Sequence, residues 1–270
     1  HLMVNLLGAT PEADKQDFKT FVTDPGFLPD EIKLYPCALV SGTQLVQKYR
    51  EGAWQPYAKD ELVDVLVQDV LATPPYVRIS RMIRDISATD ILVGNKHTNL
   101  RQMVEQELAA EDVAGRVQEI RFREINQQQV RADELTLQDF AYTTAVSNEH
   151  FLQWVTADNK IAGFCRLSLP HWDKLTAGAC DVIANELLVQ PGQAMIRELH
   201  VYGQALSLGS EGMSAQHQGL GQKLLAKASS IAADKGYTSL NAISSIGTRA
   251  YYRTQGPAKS SIKGSLVLLN

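Results

Sequence analysis

The chain has 270 residues, 44% of them hydrophobic and 21% charged, with a formal net charge of −4. That balance supports one large or two ordinary packed cores and excludes wholesale disorder and a coat of basic residues for nucleic acid; no apolar run reaches the ~18–20 residues of a membrane helix. Three cysteines, Cys37, Cys165 and Cys180, are odd in number and far apart, which excludes a disulfide framework and a cysteine-only metal site within the chain and points to the cytoplasm.

The sequence opens on His1 and "LMVNLL", a short apolar run that reads as a buried strand. No basic stretch leads into it, so no signal peptide is expected. A domain that opens on a buried strand is expected to be a piece of a longer protein; Met3 is the alternative start. "GATPEADKQDF" then enters a helix over 11–22. Thr10 suits the cap, Pro11 the first helical position, and acidic residues fill the first turn, where the helix dipole favours them. Strands are expected in "HLMVNLL", "EIKLYPCALV", "YVRISRMI" and "DILVGN", with helices over 11–22, 42–50, 59–71 and 99–111. This alternation gives parallel strands with helices between them. About four strands are too few to close an eight-stranded barrel. "RVQEIRFREI" (116–125) alternates and is read as another strand, and the polar "NQQQVRADELTLQD" (126–139) as a linker. Residues 1–130 hold 14 Lys/Arg and 19 Asp/Glu, residues 131–270 hold 12 and 11. The charge therefore shifts across the expected boundary at 125/126.

The second half has a different rhythm. "DFAYTTAVS", "EHFLQWVTAD" and "KIAGFCRLSLP" are spaced as three antiparallel strands, with Asp158-Asn159 in one turn. "DVIANELLV" and "AMIRELHVYG" follow, then a loop, a helix over 219–235, a strand "YTSLNAIS", a helix "IGTRAYYRTQG" and a closing strand "SIKGSLVLL". The helix places Leu220, Leu224, Leu225, Ala228 and Ile231 on one apolar face, and Gly236 closes it.

The chemistry is expected in the loop before that helix. Gln216-His217-Gln218-Gly219-Leu220-Gly221 stands between a strand and a helix start. Glycines there let a ligand approach the backbone, and the free amides of the first turn favour a pyrophosphate. Gly-x-Gly before a helix is also a common tight turn. The Rossmann spacing and the Walker Gly-Lys-Ser/Thr are both missing.

Gln-x-x-Gly-x-Gly in this setting resembles the acetyl-CoA loop of the GNAT acetyltransferases. "RELHVYG" (197–203), "QHQGLG" (216–221) and "ISSIGTRAYYRTQG" (243–256) resemble the acetyltransferase domain of the Elongator catalytic subunit family. "NLLGATPEAD" (5–14), "KLYPCALVSGTQL" (33–45), "PPYVRISRMIRDI" (74–86) and "NLRQMV" (99–104) resemble the later part of that family's radical-SAM domain. The resemblance implies an α/β chain: a partial radical-SAM (β/α) barrel over 1–125, then a GNAT-type α+β domain over 126–270. It implies modification of the wobble uridine of tRNA to the 5-carboxymethyl form, with acetyl-CoA and S-adenosylmethionine as cofactors and a 4Fe–4S cluster that makes the radical. The cluster cysteines of the family lie upstream of "HLMVNL" and are not in this sequence, so S-adenosylmethionine and the cluster are expected only in a full-length form. tRNA is the expected partner, with Elongator-like subunits or a second copy of the chain as further partners. Gln218 and Gln222 stand where the family often has arginine, and Pro257 where an aromatic residue is usual. Family cysteines that ligate zinc near 116–125 have no counterpart here, so no metal is expected.

By the same resemblance the backbone of Glu198, Leu199, His200 and Val201 runs beside the pantetheine arm. Gln216, His217, Gln218, Gly219, Leu220, Gly221 and Gln222 hold the phosphates. Glu198 is a candidate general base or a solvated strand residue. A phenol of Tyr251 or Tyr252 is a candidate donor to the thioester sulfur, or a core aromatic. Adjacent helical positions point ~100° apart, so one of the two is expected to face the cofactor; Tyr252 is also taken as a cofactor contact. Arg249 and Arg253 make a basic face. Arg78, Arg81, Arg84, Lys96 and Arg101 form the densest basic cluster, read as tRNA phosphate contacts or as ion pairs. Lys33 and Tyr35 end a presumed barrel strand near the adenosyl site, and Cys37 is read as a small core residue. Two other readings stay open: a binding module without turnover, and a protein lysine or histone N-acetyltransferase.

Overall fold

Thr10 accepts a hydrogen bond from the amide of Ala13 (3.2 Å), Pro11 stands in the first turn, and α1 runs over Pro11–Thr23 as the sequence dictates. The computed structural model describes residues 1–83, 86–87, 89–96, 99–110, 113, 115–126, 128, 130–176, 190–203, 219–254 and 266–269. The chain divides into two compact units, His1–Arg123 and Glu124–Asn270.

In the first unit β1 (Leu2–Val4), β2 (Glu31–Pro36) and β4 (Arg78–Arg81) form a parallel sheet in the order β1-β2-β4. "EIKLYPCALV" is not one strand. β2 ends at Pro36, and β3 (Leu39–Val40) pairs antiparallel with β5 (Ile91–Val93) in a separate ribbon. "DILVGN" therefore does not extend the parallel sheet. The helices are α2 (Leu45–Arg50), α3 (Lys59–Ala72) and α4 (Leu100–Leu108). Leu62, Val65, Leu66 and Val70 of α3 and Leu100, Val104 and Leu108 of α4 are buried at the 3.6-residue period.

Residues 116–125 are not a strand. Their regular element is the single turn α5 (Ile120–Arg123). Buried Glu119 accepts from the amides of Ile79 (2.6 Å) and Phe122 (2.8 Å). Buried Arg123 donates to the carbonyls of Gln118 (2.8 Å) and Pro75 (2.9 Å). Backbone partners for two buried charges replace the strand ladder here.

The second unit is a six-stranded sheet in the order β11-β10-β9-β8-β7-β6. β6 (Thr136–Thr143), β7 (Ser147–Val155), β8 (Ile161–Pro170) and β9 (Gln193–Val201) are antiparallel neighbours. β10 (Ser239–Ile243) lies parallel to β9, and β11 (Leu266–Leu269) parallel to β10. The stretch read as a linker contains a 3₁₀ turn, Ala132–Glu134, and the start of β6. β6 is an edge strand exposed along most of its length; its polar start hides the strand signal there, and residues 139–143 match the strand expected in "DFAYTTAVS". Asn159 takes a left-handed φ of 63° in the β7–β8 turn. The short α6 (Trp172–Thr176) follows β8, and "DVIANELLV" lies outside the described residues.

α7 (Leu220–Asp234) lies on one face of this sheet. Its Leu224, Leu225, Ala228 and Ile231 form a core with Leu152, Cys165, Leu167 and Ile196. The amide of Tyr237 returns to the Ala232 carbonyl (3.0 Å) and that of Gly236, at φ 84°, to Ala233 (2.9 Å), a Schellman stop. After β10 come a 3₁₀ turn, Ile246–Thr248, and α8 (Arg249–Thr254). No helix among the described residues is long and apolar enough to cross a membrane.

Candidate functional site

β9 carries one residue too many for its partner. Arg166 pairs with Glu198, but the next residue of β8, Leu167, pairs with Ile196. Arg197 is the extra residue of a β-bulge. Ile196 and Leu199 keep their side chains on the α7 side. Arg197 and Glu198 both turn to the opposite face. There the Arg197 guanidinium donates through Nε (3.0 Å) and Nη2 (2.7 Å) to Oε2 of Glu149, and Oε2 of Glu198 accepts from Arg166 Nε (2.8 Å).

The bulge falls where β9 leaves β10. Their registered pairing ends at Ile196 with Ala242, and β10 stops at Ile243 while β9 runs on to Val201. Beyond Ile196, β9 thus runs on without a β10 partner. α7 begins beside that unpaired stretch. Gly219 caps it at φ 69°, in the left-handed region that favours glycine, and has no side chain to bond the first-turn amides. No acidic residue occupies that turn, so the positive end of the helix dipole is not offset there. Trp154 on β7 fixes the helix start by donating from Nε1 to the Leu220 carbonyl (3.3 Å).

Packing at the start of α7 and along β9 is close. A Cβ on Gly221 would lie 2.5 Å from the Tyr251 hydroxyl and 3.6 Å from Val201 Cγ2. Tyr251, 37% exposed, therefore rests its phenol tip on the first turn of α7. Tyr252 is buried in the core beside α7. Burial, then the nearby Cys165, raises the Tyr251 pKa, and the same causes push Tyr252 up to about 12. Burial takes the Cys165 thiol to about 12 as well. At neutral pH all three groups keep their protons, so a tyrosine here is a hydrogen-bond donor and not a base.

A Cβ on Gly163 would come within 2.9 Å of the His200 carbonyl and 3.2 Å of Val201 Cα. These are backbone atoms that cannot swing aside. Gly163→Ala is expected to cost about 1–3 kcal/mol by prising β8 from β9. A denaturant titration of the second unit checks this; an unchanged midpoint would contradict the close approach.

The sequence-predicted residues divide accordingly. Glu198, Leu199, His200, Val201, Gly219, Leu220, Gly221, Gln222 and Tyr251 lie along β9, at the start of α7 or against it. Glu198 is held in an ion pair with the buried Arg166. The Arg166 guanidinium also lies over the rings of Phe151 (5.1 Å) and Phe164 (5.3 Å). His200 stacks on Phe164 (5.8 Å between ring centres) and meets the Tyr202 ring at a tilt (4.4 Å). Leu220 is a core residue and Gln222 is exposed. Gln216, His217 and Gln218 lie outside the described residues.

The basic cluster belongs to the first unit. Arg81 ends β4 in register with Lys33 of β2, and Lys96 is exposed. Arg101 is tied to the fold: it donates to the Ile79 carbonyl and to Glu105 (3.3 Å), and burial lowers its pKa. Arg78 is half-buried, and Arg84 lies outside the described residues. Tyr35 is buried; Cys37 is half-buried, and burial raises its pKa, so it is a thiol rather than a thiolate. Sequence reasoning missed the Arg197 bulge and its partner Glu149, 48 positions away. It also missed Asp69, whose signal was available: a carboxylate at the core position of the 62, 65, 66, 69, 70 pattern on α3.

Residues 29–110 match the Radical_SAM C-terminal domain. The chain is 39% identical over 261 residues to the tRNA uridine(34) acetyltransferase of Dehalococcoides mccartyi, covering 95% of this chain and 54% of the relative. It is 32% identical to Elongator complex protein 3 of Danio rerio, covering 95% of this chain and 46% of the relative. Its structure superposes with a TM-score of 0.79 on the archaeal Methanocaldococcus infernus Elp3 with an N-terminal deletion, at 30% identity, covering 94% of this chain and 59% of that one. The chain is a homologue of these Elongator-type proteins over nearly its whole length, with an α/β fold, and spans about half the length of the curated relatives it matches.

Proposed function

We propose that this chain is part of an enzyme that modifies uridine 34 of tRNA and that its second unit binds acetyl-CoA. The observation that carries the reading is the stretch of bulged β9 that runs on past its last β10 partner, with Gly219 and Gly221 at the start of α7 beside it. On this reading residues 126–270 are a GNAT-type acetyltransferase domain, and residues 1–125 are the later part of a radical-SAM barrel. The names of the relatives support tRNA as substrate; Elongator-like subunits or a second copy are the proposed partners.

Acetyl-CoA supplies an acetyl group on a thioester. The rest is the chain's work. Gly219 and Gly221 lack the side chains that would bar a phosphate from the first-turn amides of α7. The β9 backbone from Glu198 to Val201 offers an extended edge for the pantetheine amides. Tyr251, protonated at neutral pH, donates its hydroxyl proton toward the thioester at the α7 end. In a full-length form S-adenosylmethionine and a 4Fe–4S cluster would supply the radical; the three dispersed cysteines here do not provide that cluster's ligands.

Gln222, exposed on the first turn of α7, adds no positive charge beside the phosphates. It favours the second reading, an RNA- or partner-binding module that holds the fold without turnover. Calorimetry with a non-hydrolysable acetyl-CoA analogue, together with acetyl-CoA hydrolysis with and without tRNA, decides between them. Analogue binding and tRNA-stimulated hydrolysis are expected. No binding at millimolar analogue would remove the acetyl-CoA assignment and leave the binding module. Acetyl transfer to an amine acceptor, with release of the CoA thiol and no tRNA present, would mark a protein N-acetyltransferase.

A further inference from the structure

The bulge in β9 is held by a buried polar cluster that the proposed chemistry does not itself use. Glu149 on β7 is 4% exposed. Its Oε1 accepts from the hydroxyls of Ser147 (2.6 Å) and Ser168 (2.5 Å), and its Oε2 takes both Arg197 donors. Every acceptor site of the carboxylate is directed at a named neighbour, so the charge is buried with full compensation. The cluster spans three adjacent strands, β7, β8 and β9, and its cation is the bulged residue itself. Counted from Ile196, Arg197 falls on the face away from α7; a regular strand would next carry Glu198 to the α7 side and Leu199 out of the core. The clamp on Glu149 holds Arg197 on that face, and with it the one-residue excess that lets Glu198 share the face and returns Leu199 to the core.

Resting on the acetyl-CoA reading above, we infer that Arg197 and Glu149 are positioning residues: their ion pair holds the β9 bulge, and the bulge sets the edge that receives the pantetheine arm. Neither side chain touches the cofactor, because both lie on the face away from α7. Their effect passes through the backbone of Glu198 to Val201.

The test uses the whole 270-residue chain. Arg197→Lys keeps the charge but loses the planar two-donor fork. Glu149→Gln keeps the shape and removes the charge, and Arg197→Lys covers the case in which that variant fails to fold. Two readings are taken for each folded variant: the Kd of a non-hydrolysable acetyl-CoA analogue, and amide hydrogen exchange along β9. For Arg197→Lys the expected result is a Kd at least about tenfold weaker, with faster exchange confined to 197–201 and none gained at 193–196. A merely structural role would lower the unfolding midpoint and leave both readings unchanged below it. Wild-type binding matched by Arg197→Lys, or exchange rising evenly along β9, overturns the inference while the acetyl-CoA reading stands. If the wild type does not bind the analogue, the acetyl-CoA reading fails and takes the cofactor role of the clamp with it.

Discussion

Replacing Asp69 with asparagine is expected to stabilise the first unit at neutral pH, and the gain should grow as the pH rises. Asp69 sits on α3 with 1% of its surface exposed, and neither carboxyl oxygen has a hydrogen-bond partner among the described residues. Burial, then the charge of Asp14, raises its pKa to about 8, with Lys15 opposing. Asp14 is itself buried and accepts from the Asn5 amide (2.7 Å) and the Tyr57 hydroxyl (2.7 Å). The sign follows from proton binding. Below an unfolded carboxyl pKa of ~3.9 both states are protonated and the group costs nothing. Between there and about 8 the folded state holds a proton that the unfolded state has released. Stability therefore falls as pH rises through this window, by at most about 1.4 kcal/mol per unit, and levels off above it. At pH 7 the accumulated cost is about 4 kcal/mol. The asparagine of Asp69→Asn is neutral in both states but leaves a buried amide with unmet donors, worth about 1–3 kcal/mol against it. A net gain of about 1–3 kcal/mol at pH 7 is the expected result, shrinking or reversing near pH 4. Hydrogen exchange of the α3 amides from pH 5 to 8 reads this unit alone. Parallel pH dependences in wild type and variant would show that Asp69 does not take up the proton.

Asp69 also shows what the sequence made legible. α3 and α7 were readable because their apolar residues recur at helical spacing, and the ends of α1 and α7 because Thr10, Pro11 and Gly236 each have one local job. An aspartate at a core position of such a pattern is a readable signal of the same kind. Residues 116–125 were not readable. Their alternation suggested a strand, but Glu119 and Arg123 are buried by bonds to the backbone of Ile79, Phe122, Gln118 and Pro75. Hydropathy assigns both charges to the surface, and only the tertiary fold supplies their partners. The start of β6 was missed for the opposite reason, while its later part matches the strand expected in "DFAYTTAVS". An exposed edge strand buries neither face deeply, so "TLQD" carries no period-2 signal. Within the site, the glycines of the loop were legible as a motif. The bulge was not: "RELH" is an ordinary strand sequence until Glu149, on another strand, claims Arg197.

The second large effect is expected from filling the space at Gly221. Gly221→Val puts a branched side chain between Val201 and the Tyr251 hydroxyl, where even a single Cβ would lie 2.5 Å from that oxygen. The obstructing atom is the tip of a half-exposed side chain, so Tyr251 swings out and the fold survives. Valine replaces glycine inside a helix at little propensity cost, and stability is expected to change by less than about 1 kcal/mol. Binding is the property that suffers. The new methyl groups cover the first-turn amides and crowd the β9 edge together. Affinity for a non-hydrolysable acetyl-CoA analogue is expected to fall by at least about 100-fold, or about 2.7 kcal/mol. Tyr251→Phe separates the seat from the proton. It keeps the ring against Gly221, so analogue affinity should stay within a few-fold of wild type. It removes the donor, so acetyl-CoA hydrolysis should fall by about 100-fold, the lower end of what a placed acid contributes. Calorimetry on both variants, with hydrolysis measured at saturating acetyl-CoA, reads the two effects apart. If Gly221→Val binds as the wild type does, the cofactor does not enter beside α7. If Tyr251→Phe hydrolyses at the wild-type rate while binding normally, the phenol is a wall of the site and not its acid.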